Sequence, residues 1–422
     1  MKRLVLLLGL LAAAAVLGSP ASGGPATSSY IVVLAKGAPL NSVLAQHDAL
    51  SGVTMEHTYS HALKGYAAKL SPSALSAVRA DPRVAFVSPD RVVRATAQTL
   101  PTGINRIDGD TSSTASGNGS GSVNVNVAVI DTGIDSTHPD LNVVGGKDCA
   151  PGIGTMDGNG HGSHVSGTIA AKDDANGVVG VVPGARLYAV KVLNDAGVGL
   201  SSDIVCGIDW VTSTRTDGDP NNNIAAANMS LGGGGTDDGN CGRSNADAEH
   251  LAICNSVAAG VTYVVAAGND GVDFRSTTPA SYDEVLTVTA VADFNGAPGG
   301  GAASTCRSDV DDQYASFSDF AVLAADQNHT IAAPGVCIYS TYMLGMYDTL
   351  SGTSMASPHM TGTAALCIAT GACTGTPAQI IAKLRGDAQS YNQANPGYGF
   401  TGDPAHPVSG RYYGYLTRAG AY

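Results

Sequence analysis

The sequence predicts an α/β fold, a parallel sheet with helices on both faces, preceded by a small α+β unit. Two observations carry this. Apolar strand-like runs alternate with helical windows beyond residue 122, the pattern of a sheet buried on both sides. The charge balance also changes near residue 96: residues 1–96 hold 9 Lys+Arg against 4 Asp+Glu, and residues 97–422 hold 13 against 31, or −18. With 422 residues, Gly 54, 44% hydrophobic and only 14% charged residues, the chain can bury a large core and is not disordered. Aromatics at 5% argue against a stacking platform for bases, so nucleic acid is not an expected partner.

Taken in order, Lys2 and Arg3 precede an apolar run from Leu4 to Leu17 and small residues through Ala21, which reads as a signal peptide over 1–21. The run falls short of the roughly 20 residues that span a bilayer, and no later segment supplies such a stretch, so a secreted, extracellular product free of the membrane is expected. Residues 22–96 then read as βαββαβ: strands at Tyr30 to Leu34, Gly65 to Leu70 and Val84 to Val87, helices at Leu40 to Leu50 and from Ser71-Pro72 through Arg79. In residues 97–422 strands are expected at Val123 to Ile130, Ala185 to Leu193, Ala225 to Leu231, Val261 to Ala266 and Val285 to Ala290. Helices are expected at Ser202 to Val211, Asp247 to Ala259 and Met355 to Ile368, with a Tyr-rich tail packing as a final strand.

All eight cysteines lie beyond residue 97 without zinc-like spacing, which in an exported chain predicts four disulfides. Cys367 and Cys373 are near enough for a short loop. The sequence leaves the other connectivities open; pairing neighbours in order (Cys149–Cys206, Cys241–Cys254, Cys306–Cys337) is the simplest of them.

Three motifs fall where such a sheet places chemistry. Val129 to Asp135 puts Asp131 at a strand end, Asp157 to Thr168 puts His161 between glycines at a helix start, and Ser351 to His359 puts Ser354 on a turn opening a small-residue helix. Singly, each has an ordinary structural reading: a turn acid, a helix start, an N-cap. His161 and His164 lack the Glu of H-E-x-x-H, so zinc is not expected there. Together they supply what serine needs to become a nucleophile, an imidazole to take its proton and a carboxylate to fix the imidazole. The flanks Asp-Thr-Gly-Ile-Asp, Gly-His-Gly-Ser-His-Val-Ser-Gly-Thr and Gly-Thr-Ser-Met-Ala-Ser-Pro-His resemble the subtilisin-like serine peptidases, in the same Asp, His, Ser order, from about Ala97 to Ala388. An esterase of the G-x-S-x-G type lacks support, because that elbow and its chain order are absent.

The resemblance implies a three-layer catalytic domain over 97–422, a ferredoxin-like inhibitor propeptide over 22–96, and a broad-specificity endopeptidase with polypeptide substrates, no organic cofactor and a monomeric state. Val264 to Asp270 resembles the family's oxyanion segment, making Asn269 a donor beside the Ser354 N–H. Asn228 to Gly233, with Ser230, Leu231 and Gly232, resembles one wall of the S1 pocket, which Ala266 and Gly268 also line. Gly197, Val198 and Gly199 resemble the edge that pairs with extended substrate. Ser201 stands where several relatives carry an aromatic lid, implying an open S4 pocket. Asp270 at the rim suggests that Lys or Arg is tolerated at P1 beside apolar residues, and Thr277 falls where some relatives have a floor glycine.

Lys172 to Val178 has the length of the family's strong calcium loop, and Gln98 and Asp140 match its side-chain ligands. Calcium held by Gln98, Asp140, Lys172, Asp174, Asn176 and Val178 is therefore expected. The resemblance also implies autocatalytic cleavage near Thr96/Ala97, with Val93 to Thr96 in the cleft beforehand. Residues 22–96 at +3 would attract a unit at −18.

Overall fold

The computed structural model describes residues 27–90, 98–152 and 154–422. The expected leader, Val93 to Thr96 and the Thr96/Ala97 junction lie outside them. The chain divides into two compact units, Met1–Ala95 and Thr96–Tyr422.

In the first unit, β1 (Ser28–Leu34), α1 (Leu40–Asp48), β2 (Val53–Tyr59), β3 (Gly65–Leu70), α2 (Pro72–Ala80) and β4 (Val84–Pro89) follow the expected βαββαβ order. The antiparallel sheet runs β2-β3-β1-β4 and buries Val32, Val43, Tyr66 and Val78. Ser71 caps α2 by accepting the Ala74 N–H, with Pro72 at its first position. Only β2 lacks a sequence signal: it is an edge strand with no buried residue.

The second unit begins with α3 (Thr102–Arg106) and β5 (Asn126–Asp131), β6 (Val143–Asp148), α4 (His161–Ala170), β7 (Arg186–Lys191), α5 (Ser201–Ser213) and β8 (Ala226–Met229). It continues through β9 (Gly233–Gly234), α6 (Ala248–Ala258), β10 (Thr262–Ala266), β11 (Thr277–Thr278), β12 (Leu286–Ala292), β13 (Gln313–Tyr314) and α7 (Ala324–Gln327). Last come β14 (Thr330–Pro334), the hairpin β15 (Ile338–Tyr342) and β16 (Met346–Leu350), α8 (Thr353–Ala369) and α9 (Pro377–Ala394). The sheet runs β13-β12-β10-β8-β5-β7-β6, with β14 also on β12, and every pairing but β12 with β13 is parallel.

Strand alternation divides the core into layers. Val127, Val129, Leu187 and Ala189 pack with Val165, Ile169 and Ala365 of α4 and α8; Ala128, Ile130, Val190 and Val265 pack with Ile208, Val211 and Ile253 of α5 and α6. Asp131 shares the parity of Val127 and Val129, so the strand that buries them delivers its last carboxylate to the side where α4 and α8 begin.

The tail does not form the expected strand; it makes isolated bridges at Thr401, Tyr412 and Leu416. Pro404, Pro407 and several glycines interrupt it, and it packs by side chains instead. Tyr413 stacks on Tyr314, and the buried Arg106, paired with Asp293 and Asp312, donates to the Tyr398 and Gly399 carbonyls. Among the described residues no helix is long and apolar enough to cross a membrane.

All four disulfides join the cysteines in sequence order, with separations of 57 for Cys149–Cys206 and 6 for Cys367–Cys373. Loop-closure entropy makes the long bridge worth about 4 kcal/mol and the short one about 2. Cys149→Ala/Cys206→Ala should therefore lower the denaturation midpoint more than Cys367→Ala/Cys373→Ala; the reverse order would contradict this.

Candidate active site

Asp131 ends β5 fully buried. Its Oδ1 accepts the Thr132 N–H at 2.7 Å and faces His161 Nδ1 at 2.8 Å. A carboxylate only accepts, so Nδ1 carries the hydrogen and Nε2 holds the lone pair. Burial pushes the imidazole pKa down, but the Asp131 charge and hydrogen bond, with the Asp157 charge, outweigh it, and the net direction is above 6.5.

His161 opens α4, whose start is pinned by a residue the sequence reading left without a role. Buried Asp157 accepts the N–H groups of Asn159, Gly160 and Ser163 and the hydroxyls of Thr132 and Ser163. The helix start can approach β5 because Gly162 has no Cβ; one would lie 2.1 Å from the Gly133 carbonyl oxygen. His164, one turn on, points away into the core and bonds the Ile338 and Asp348 carbonyls, and burial pushes it down to about 4. The two histidines share no metal geometry.

Ser354 is the second residue of α8. Pro358 has no N–H to give the Ser354 carbonyl four residues back, and Ser230 Oγ replaces it at 2.8 Å. Ser230 in turn accepts from Asn228 Nδ2, while Asn228 Oδ1 accepts from Ser357 and Thr361 of α8. One buried amide thus ties β8 to the helix that carries Ser354. Ser354 Oγ rests on the Ser230 carbonyl at 3.4 Å.

Asn269 follows β10. Its Oδ1 accepts Thr353 N–H at 2.8 Å and Thr353 Oγ1 at 3.1 Å, which leaves the Nδ2 hydrogens for another acceptor. Beside it Gly268 has φ 117°, and a Cβ there would strike the Asp319 carboxylate.

Two clefts share the segment from Leu231 to Gly234. One, of about 430 Å³, is lined by His161, Gly197, Val198, Gly199, Ser201, Ser230, Leu231, Gly232 and, unexpectedly, Glu249. The other, of about 590 Å³, is lined by Leu231, Gly232, Ala266, Gly268, Asn269, Asp270, Thr277 and Ser354. Every residue expected in catalysis or substrate contact therefore lines one of these two clefts, except Asp131, which is buried and bonded to His161.

At the loop after α4, Gln98 Nε2 lies 2.8 Å from the Lys172 carbonyl, 3.4 Å from that of Asn176 and 3.2 Å from that of Val178. Gln98 Oε1 and Asp140 Oδ1 are buried without hydrogen-bond partners. Asp174 is exposed, its Oδ1 accepting the Asn176 N–H, yet its charge acts on Asp140. The neighbouring Asp173 faces elsewhere, accepting the N–H groups of Gly117, Gly119 and Gly121.

Compared with known families, residues 122–401 match the Subtilase family and residues 29–96 match Peptidase inhibitor I9. Subtilisin amylosacchariticus of Bacillus subtilis subsp. amylosacchariticus is 38% identical over 327 residues, covering 76% of this chain and 74% of the relative. Subtilisin DY of Bacillus licheniformis is 41% identical over 276 residues, 64% and 85% of the two chains. The crystal structure of a cold adapted subtilisin-like serine proteinase superposes with a TM-score of 0.50 at 28% identity, covering 70% of this chain and 88% of that one. The chain belongs to the subtilase family, with an I9 inhibitor unit at its amino-terminal side. It is a serine endopeptidase.

Replacing Asn228 by Leu removes the shared acceptor of the Ser357 and Thr361 hydroxyls, which keep only the Val264 and Ser357 carbonyls, and frees Ser230, at about 0.5–1.5 kcal/mol for each hydrogen bond lost. Asn228→Leu should lower both the melting temperature and kcat, with KM little changed; a stability loss with unaltered kcat would make the amide structural only.

Proposed function

We propose that Asp131, His161 and Ser354 form the catalytic triad, with Asn269 Nδ2 and the Ser354 N–H as the oxyanion donors. The observation that carries this is the 2.8 Å Asp131–His161 bond, which leaves a basic Nε2 on a residue whose cleft is also lined by Ser230, and the Ser230 carbonyl is the group that Ser354 Oγ contacts. In this reading Ser354 Oγ leaves the Ser230 carbonyl by rotation about its Cα–Cβ bond and turns to His161 Nε2 when substrate binds. Oγ then attacks the peptide carbonyl carbon as its proton passes to Nε2, and Asp131 stabilises the imidazolium. The oxyanion meets Asn269 Nδ2 and the amino-terminal end of α8, where unpaired N–H groups carry partial positive charge. His161 returns the proton to the leaving amine, and water, deprotonated by the same nitrogen, hydrolyses the acyl-enzyme.

Gly197, Val198 and Gly199 on one side and Ser230, Leu231 and Gly232 on the other hold an extended substrate by main-chain contact, which supports broad specificity. The P1 side chain enters between Gly232, Ala266 and Gly268; Asp270 at the rim gives tolerance of Lys or Arg beside apolar residues. The I9 unit acts as an intramolecular inhibitor until self-cleavage near residue 96, and the leader-like amino terminus and four disulfides support secretion.

Ser354→Ala should abolish both peptide hydrolysis and self-processing in a protease-free host; equal processing would overturn the assignment. Asn269→Ala should lower kcat about 10²- to 10³-fold, a magnitude that comes from subtilisin itself. Because His161 acts as a base only when neutral, kcat/KM should rise with pH through a midpoint above 6.5. Asp131→Asn should shift that midpoint downward, since it removes the charge that holds the proton.

Calcium fits the loop: the Lys172, Asn176 and Val178 carbonyls gather on the Gln98 side-chain amide, turning that amide over would present its Oε1 to the same carbonyl cluster, Gln98 Oε1 and Asp140 Oδ1 are buried without partners, and hard oxygens suit this ion. Gln98, Asp140, Asp174 and the carbonyls of Lys172, Asn176 and Val178 would hold it, and the bound ion would stabilise the folded loop by linkage. Chelation should lower the melting temperature and added calcium restore it, with Asp140→Ala losing the response; a melting temperature indifferent to both would count against the site.

A further inference from the structure

The proposed reaction has no use for Glu249, one of three glutamates in the chain. It stands second in α6, is 7% exposed, and lines the same cleft as His161. Its Oε1 is buried without a hydrogen-bond partner, and among the described residues no ion pair reaches the carboxyl. Its neighbours are engaged elsewhere. Asp247 caps α6 through the N–H groups of Glu249 and His250 and accepts the Tyr282 hydroxyl, while His250 turns to Glu284. Burial first, and the Asp247 charge second, push the Glu249 carboxyl up to about 7. A carboxylate left unpaired in a cleft wall is costly, and a cation supplied by a ligand removes that cost. The walls above it suit the stem of such a ligand: Val198, Ile204 and Leu231 are aliphatic, and Gly232 to Gly234 leave room.

We propose that Glu249 forms the floor of a subsite that takes a lysine or arginine side chain of the bound polypeptide. This rests on the peptidase reading above and refines its substrate class. The basic residue is not the one whose carbonyl is attacked, because the cleft containing Ser354 and Asn269 is lined by other residues and not by Glu249. The subsite also differs from the general attraction of an acidic protein for basic chains. That attraction acts at long range and is screened by salt, whereas a carboxylate in the cleft wall selects one position.

The test is a peptide series in which Lys, Arg, Gln and Leu are walked through each position flanking one cleavable bond. It is read with the processed wild-type enzyme, Glu249→Gln and Glu249→Leu as ratios of kcat/KM within each enzyme. Those ratios are independent of how much of a variant is folded. Wild type should favour Lys or Arg over Gln about 10-fold or more at one position away from the cleaved bond. Glu249→Gln should abolish that ratio, and Glu249→Leu should invert it toward Leu. A preference that survives in Glu249→Gln, or a wild type that cleaves the series with no basic preference, overturns the subsite alone. A wild type that cleaves none of the peptides overturns the peptidase reading and the subsite with it.

Discussion

Helix α8 carries Ser354, the proposed nucleophile, and is the constraint around which the second unit is built. Of its 17 residues 14 are buried, so it must be made of small side chains and every hydroxyl on it needs a partner inside the protein. Thr361 and Thr363 bond back to carbonyls of their own helix, while Ser357 and Thr361 reach across to Asn228. These bonds make the helix axis and the strand β8 one rigid body. Ser354 can then sit at the helix end, where N–H groups are unpaired, without the turn being free to move.

The sheet supplies the second constraint. Parallel strands bring their carboxyl ends to one edge, so the last residue of β5, Asp131, and residues following β8 and β10, Ser230 and Asn269, meet there. The helices that return across the same face start at that edge, which is why His161 and Ser354 both lie in first turns. Backbone–backbone approach then demands the glycines around them, of which Gly162 is the tightest near the histidine.

The acidic composition follows from the turns. Asp157, Asp173, Asp238, Asp312 and Asp403 each accept two or more backbone N–H groups from short loops, a geometry that the shorter acid side chain reaches and Glu does not. Asp is therefore abundant for architectural reasons, and the −18 of residues 97–422 is mostly spent on loop closure. Glu249 is an exception: it closes no loop.

Much of this was legible in the chain itself, and the limit has a physical cause. Local order depends on neighbours in sequence, so strands β5, β7, β8, β10 and β12, helices α5, α6 and α8 and the three motif turns could be read directly, and the Asp, His, Ser order pointed to the joint role proposed for them. Edge strands β2 and β6 escaped because none of their residues is fully buried and no apolar run marks them. The tail escaped because its order comes from Tyr413, Tyr398 and Arg106 rather than from a ladder. The positioning of Asp157, the bridge through Asn228 and the unpaired carboxyl of Glu249 join or isolate groups far apart in sequence. The sequence by itself determined which residues could act and in what local turns they sit. Only the tertiary structure decided which buried polar groups find partners, because hydrogen bonding and desolvation depend on what folding brings within about 3 Å.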